Sequence, residues 1–110
     1  MPDDRDWKLA KEFRRRLEPL LGERLLEVRM FGSRVRGDHR PDSDLDLFVK
    51  VDTAPIKTRW AIYDVATDLN AETGFAIPLA PLVMAEAEFE HLRERERRLA
   101  RDILEEGLVV

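Results

Sequence analysis

The period of hydrophobic and polar positions changes several times along the chain, and each change marks an element. Over residues 1–22 apolar side chains recur at helical spacing: Trp7, Ala10, Phe13, Leu17, and Leu20 or Leu21. Asp3 or Asp4 caps this helix, Gly22 ends it, and Pro19 in its last turn predicts a kink. From Arg24 to Phe31 the period falls to two, placing Leu26, Val28 and Met30 on one face of a strand. A Gly32-Ser33 turn follows, and Arg34-Val35-Arg36-Gly37 has room for one or two helical turns. Asp44-Leu45-Asp46-Leu47-Phe48-Val49 alternates again and reads as the second strand.

A second long helix is predicted over 56–72, with Ile62 and Ala66 beside Ala61, Val65 and Leu69 as its buried stripe. Trp60 and Tyr63 lie off that stripe, and Gly74 closes the helix. The run Phe75–Met84 predicts a third strand, and Pro78 and Pro81 put it at an edge or a bulge, because proline cannot donate to a ladder. A final helix of about Glu86–Glu106 has a seam of Phe89, Leu92, Leu99 and Ile103, interrupted by Glu96. After Gly107 an apolar tail, Leu108-Val109-Val110, packs either on the sheet or on another chain. The fold class is therefore α/β (α+β in stricter usage). A small mixed β-sheet of three or more strands is backed by helices on one face, in the order α-β-short α-β-α-β-α.

Composition narrows the picture. At 110 residues the chain is read as a single domain, 1–110, and 44% hydrophobic against 38% charged content is that of a globular chain. Net charge is −4, so the total gives no signal for nucleic acid. The triplet Arg14-Arg15-Arg16 spreads around its helix, and glutamates interleave the arginines between 93 and 101, so both read as solvated, salt-bridged faces. There is no cysteine, hence no disulfide or thiolate metal site. No apolar run approaches the roughly 20 residues of a membrane span and no signal-peptide pattern opens the chain, so a cytoplasmic location is the default expectation.

Candidate chemistry gathers in residues 30–49. Side chains alternate along a strand, so Asp44 and Asp46 share one face, about 7 Å apart. Such a pair offers the oxygen ligands that Mg²⁺ prefers. Alone, Asp-x-Asp is as readily the solvated face of a sheet. A calcium loop over Asp42, Asp44 and Asp46 fails, since Leu47 stands where glycine is required. Just upstream, a Gly-Ser turn opening a helix presents free N–H groups and the positive end of a helix dipole, which suit phosphate. Together these features describe a place for a nucleoside triphosphate and its metal. His39, in a polar loop, reads as a surface residue.

GSRVRG followed by SDLDLFV resembles the signature of the polymerase-beta-type nucleotidyltransferases, in particular the minimal nucleotidyltransferase antitoxins of prokaryotes. The resemblance implies a nucleotidyltransferase palm. It implies that Gly32, Ser33 and Arg36 hold the triphosphate of ATP, with Arg34 a weaker candidate, and that Asp44 and Asp46 hold Mg²⁺ and are catalytic. It further implies a HEPN-domain toxin as partner in a hetero-oligomer, with AMP transferred to a hydroxyl of that toxin, a tyrosine. One departure stands out. Many members of the superfamily carry a third carboxylate on the next strand, and Phe75–Ala85 contains no Asp or Glu; Glu86 and Glu88 come only afterwards. The alternative is a catalytically silent antitoxin that neutralises its partner by binding alone; a general nucleotide-binding subunit is a third reading.

Overall fold

The computed structural model describes residues 2–110; Met1, the first residue of the expected helix, lies outside them. Helix α1, Asp4–Leu21, starts at Asp3 through a reciprocal cap. The Asp3 carboxylate accepts from the Asp6 amide at 3.0 Å, and the Asp6 carboxylate accepts from the Asp3 amide at 3.1 Å. Two otherwise orphaned donors are satisfied in one turn. Pro19 lies inside the helix, which continues to Leu21. Leu21 is the buried member of the Leu20–Leu21 pair, and Leu20 is exposed.

Strand β1, Leu25–Phe31, pairs antiparallel with β2, Leu45–Val51, and with β4, Leu108–Val109. β2 pairs parallel with β3, Leu79–Ala85, giving the order β3-β2-β1-β4. The parallel step is made by α3, Ile56–Glu72, whose bounds are those expected from the pattern. The apolar tail thus packs on the sheet, as its fourth strand. Gly107 allows this close approach, since a Cβ there would strike the Ile103 carbonyl.

Three details differ from expectation. In β1 the register slips between Leu25 and Glu27, so Leu25 takes the buried position and Leu26 turns outward. A bulge moves a side chain to the opposite face, which strict alternation cannot anticipate. The third strand begins at Leu79 rather than Phe75. Gly74 and Phe75 both take left-handed backbone, at φ 63° and 59°, and the Phe75 amide donates to Asn70 O at 2.9 Å, so this stretch ends α3 instead. β3 is an edge strand, where its one proline, Pro81, is tolerated. Its outward groups are covered by α3: Asn70 Oδ1 accepts from the Leu79 amide at 2.8 Å, and Arg59 donates to Val83 O at 2.9 Å.

The third difference is larger, because helices cover both faces of the sheet. On one face α1 and α3 enclose the main core around Phe13, Leu17, Val28, Met30, Leu47 and Ile62. On the other, Phe48 is fully buried with Phe89, Leu92, Ala100 and Ile103. These come from α4, Glu86–Arg95, α5, Arg97–Arg101, and a wider turn over Asp102–Glu106. The Phe48 and Phe89 rings lie 4.9 Å apart between centroids. An aromatic ring two residues past Asp46 needs cover, and the apolar seam of the last helix supplies it. That helix is not continuous. Glu96, at φ −124° and ψ 70°, breaks it into two pieces that both reach the cluster. Among the described residues no helix is long and apolar enough to cross a membrane.

Candidate active site

β1 ends at Phe31, which lies opposite Asp46 in the antiparallel register. Gly32 then takes φ 84° and ψ −160°, a conformation open almost only to glycine. Its carbonyl accepts from the amides of Val35 and Arg36, both at 3.1 Å, closing the single turn α2, Ser33–Arg36. Gly37, at φ 84°, ends that turn, and its amide donates to Ser33 O at 2.9 Å. One turn sums very few peptide dipoles. What this corner offers an anion is the Ser33 and Arg34 amides, which the turn leaves without an acceptor, and the Ser33 hydroxyl rather than a helix dipole.

The Asp46 carboxylate lies directly over Gly32: a Cβ built there would come within 3.1 Å of Asp46 Cγ, and closer still to Oδ2. Asp46 is half-buried, whereas Asp44 is exposed and sits just before the strand, which starts at Leu45. Burial pushes the Asp46 carboxyl above the usual carboxylate range; the charge of Asp44 raises it further, and the Arg36 guanidinium partly opposes both. Asp44, Asp46 and Arg36 are thus brought into electrostatic reach of one another. Among the described residues neither carboxylate has an ion-pair partner. Two neighbouring acceptor-only groups that repel each other and lack a donor suit a hard divalent cation, which would relieve the repulsion.

Arg36 is 40% exposed and paired loosely with Asp38 at 3.3 Å and Glu106 at 3.9 Å. Both are surface pairs that a phosphate could replace at little cost. Arg34 has a different place from the one expected. It is buried, and its guanidinium donates to Asp6 at 3.1 Å, to Ser43 O at 2.9 Å and to Pro41 O at 3.2 Å. Arg34 therefore braces the loop that leads to Asp44 and is not free for a phosphate. Sequence reasoning missed its partner, Asp6, because nothing local connects a residue in α1 to one 28 positions later. Ser43 tightens the same loop, accepting from the Arg40 amide at 2.9 Å. His39 is part-buried rather than a plain surface residue, and its Nδ1 is enclosed without a hydrogen-bond partner.

Residues 8–110 match the family model described as a nucleotidyltransferase domain. The chain belongs to that family. A relative from Methanocaldococcus jannaschii, provisionally named a protein adenylyltransferase, is 29% identical over 77 residues, covering 69% of this chain and 76% of the relative. Two solved structures share the fold of this nucleotidyltransferase domain. One is described as a toxin-antitoxin with AMP-PNP, with a TM-score of 0.57, 20% identity, and coverage of 90% of this chain and 70% of the other. The second, provisionally named a nucleotidyltransferase from Sulfolobus solfataricus, has a TM-score of 0.56, 21% identity, and coverage of 96% and 78%.

Among the described residues, β3 brings no third acid to the carboxylate pair. β3 runs beside β2 with Ala80 next to Asp46, Leu82 next to Phe48 and Met84 next to Lys50. Paired residues share a face, so these three stand where a strand carboxylate would belong. Glu88 does not fold back to replace it. Its carboxylate caps α4 by accepting from the Ala85 amide at 3.0 Å and is ion-paired with Arg59; both interactions hold its pKa low. Among the described residues no group of three or more His, Cys, Asp or Glu side chains gathers as a metal cluster.

Proposed function

We propose that this nucleotidyltransferase domain is an antitoxin that transfers AMP from ATP, with Mg²⁺, to a tyrosine hydroxyl of a HEPN-type toxin. The observation that carries the reading is the unpaired Asp44–Asp46 couple, with Asp46 seated over the Gly32 turn. The provisional name of the archaeal relative supports protein adenylylation, and the toxin-antitoxin structure of the same fold supports the setting.

In this reading the hydroxyl oxygen bonds to the α-phosphorus, the bond from that phosphorus to the β-phosphate oxygen breaks, and pyrophosphate leaves. The hydroxyl proton passes to solvent, since no strand carboxylate stands ready to take it. Asp44 and Asp46 would hold Mg²⁺, which when bound offsets the negative charge of the reacting phosphates. The Ser33 hydroxyl and the amides of Ser33 and Arg34 hold the outer phosphates, and Arg36 exchanges its surface carboxylates for a phosphate oxygen.

The competing reading is a binding-only antitoxin, and Ala80 beside Asp46 favours it. Mass spectrometry of the toxin, incubated with ATP, Mg²⁺ and a sub-stoichiometric amount of this protein, separates the two. Transfer predicts added AMP mass, lost in the Asp44→Asn, Asp46→Asn protein. A blocker predicts no added mass, neutralisation only at equal amounts, and full protection by the double variant.

A further inference from the structure

Between α1 and the C-terminal end of α3 runs a groove of about 660 Å³, separate from the carboxylate pair. Its floor is apolar, built by Leu9, Leu69, Ala76 and Ile77. Its rim carries five cationic side chains, among them Lys8, Lys11 and Arg15, against the two carboxylates Glu12 and Glu72. This excess of positive charge stands out in a chain whose net charge is −4. Both carboxylates are already taken: Arg16 bridges Glu12 at 2.8 Å and Glu72 at 2.6 Å, and Arg15 binds Glu12 at 2.6 Å. Lys8 and Lys11 have no carboxylate partner among the described residues, and Lys11 rests over the Trp7 ring at 5.8 Å.

Arg5, Ala76 and Ile77 also line a second cavity of about 320 Å³, closed by Arg34, His39 and Pro41. The two spaces therefore adjoin, with these three residues between them. The second abuts the loop that Arg34 pins through Pro41 O and Ser43 O and that ends at Asp44. The enclosed, unpartnered Nδ1 of His39 belongs to this polar end. An apolar floor under unneutralised lysines matches side chains that are apolar on one face and acidic on the other. A nucleic acid would leave that floor uncovered, because its affinity comes from phosphates along a charged track.

We infer that this groove docks an acidic, amphipathic segment of the protein acceptor, laid along α1 with its polar end at His39 and so directed toward the loop before Asp44. The segment's role as acceptor rests on the adenylylation proposed above; its binding to the groove does not.

The probe is a fluorescent synthetic helix with leucines on one face and glutamates on the other, compared with its lysine counterpart and with a single-stranded RNA oligomer. Anisotropy is read on wild type, on the Lys8→Glu, Lys11→Glu protein and on Ala76→Asp, all changes at exposed positions. The acidic helix should bind wild type, shift the amide signals of Leu9, Thr73 and Ala76, and lose about tenfold or more in affinity in both variants. ATP binding in the variants should match wild type. Absence of binding, equal binding of the lysine helix, preference for RNA, or affinity unchanged in the variants overturns the proposal. Wild-type protein that binds the acidic helix but not ATP–Mg²⁺ would defeat the transferase reading and leave the groove standing.

Discussion

Asp46 occupies the space in which a side chain on Gly32 would begin. The turn and the carboxylate are therefore one unit, and a change at Gly32 acts first on Asp46. Gly32→Val should cost about 1–3 kcal/mol for forcing a substituted residue into this backbone conformation. It should also abolish metal-dependent ATP binding by displacing the carboxylate. From the sequence alone the same change reads as a local block of the phosphate turn with the fold largely intact. Ser33→Ala removes one hydrogen bond and should weaken ATP by only about 0.5–1.5 kcal/mol. Urea unfolding and calorimetry on both proteins check the contrast, and equal losses would refute it.

Asp46 should also oppose folding when no cation is present. Its carboxyl titrates above the ordinary range because burial and Asp44 disfavour the charged form. A carboxylate raised in the fold is fully tolerated below its unfolded pKa, and that stability is lost as pH rises through the folded value. At neutral pH, without metal, Asp46→Asn should therefore melt higher than wild type, and the difference should vanish in acid. Thermal scans in chelator across pH give the answer; a lower melting temperature for the variant at neutral pH would reverse the assignment.

The buried Asp6–Arg34 pair ties the start of α1 to the loop before Asp44. Arg34→Met leaves Asp6 without its cation and should destabilise the protein by about 3–5 kcal/mol. Residues 38–44 should then exchange amide hydrogens faster than they do in wild type, and ATP should bind more weakly. If stability and loop exchange both match wild type, Arg34 is not the brace.

Much of this arrangement is legible in the chain because it is local. The Asp3 cap, the bounds of α3 and the Gly-Ser turn before the Asp-x-Asp strand each follow from residues within a turn or two of one another. What escapes is set by distant partners. Arg34 and Arg36 look alike in GSRVRG, but Asp6, brought over by α1, joins the Pro41 and Ser43 carbonyls in making one a buried brace, while the other stays exposed. The cover over Phe48 depends on where Glu96 bends the last helix, and the outward turn of Leu26 on a register slip against β2. The groove along α1 is invisible in the sequence, since its floor joins Leu9 to Leu69 and Ile77 across the fold.

Ala80 offers the sharpest separation of transferase from blocker. It is the β3 neighbour of Asp46, shares its face and is only part-buried, so a slightly larger side chain can be placed there. Ala80→Asp adds a third carboxylate to the existing pair. Without metal the added charge should raise the Asp46 carboxyl further and lower the melting temperature, because like charges at close range disfavour ionisation. With Mg²⁺ the sign should invert: three acceptors hold the cation more tightly, and the metal-induced gain in melting temperature should exceed that of wild type. If the chain transfers AMP, the new carboxylate can also take the hydroxyl proton. A positioned general base is worth roughly 10²–10⁴-fold, and a grafted one should give part of that, read as faster appearance of AMP on the partner. If the chain only binds, toxin neutralisation should stay at one to one, with no AMP added by either protein. A variant whose melting temperature ignores Mg²⁺ would show instead that Asp44 and Asp46 do not hold the cation, and the metal assignment would fall whichever role the protein plays.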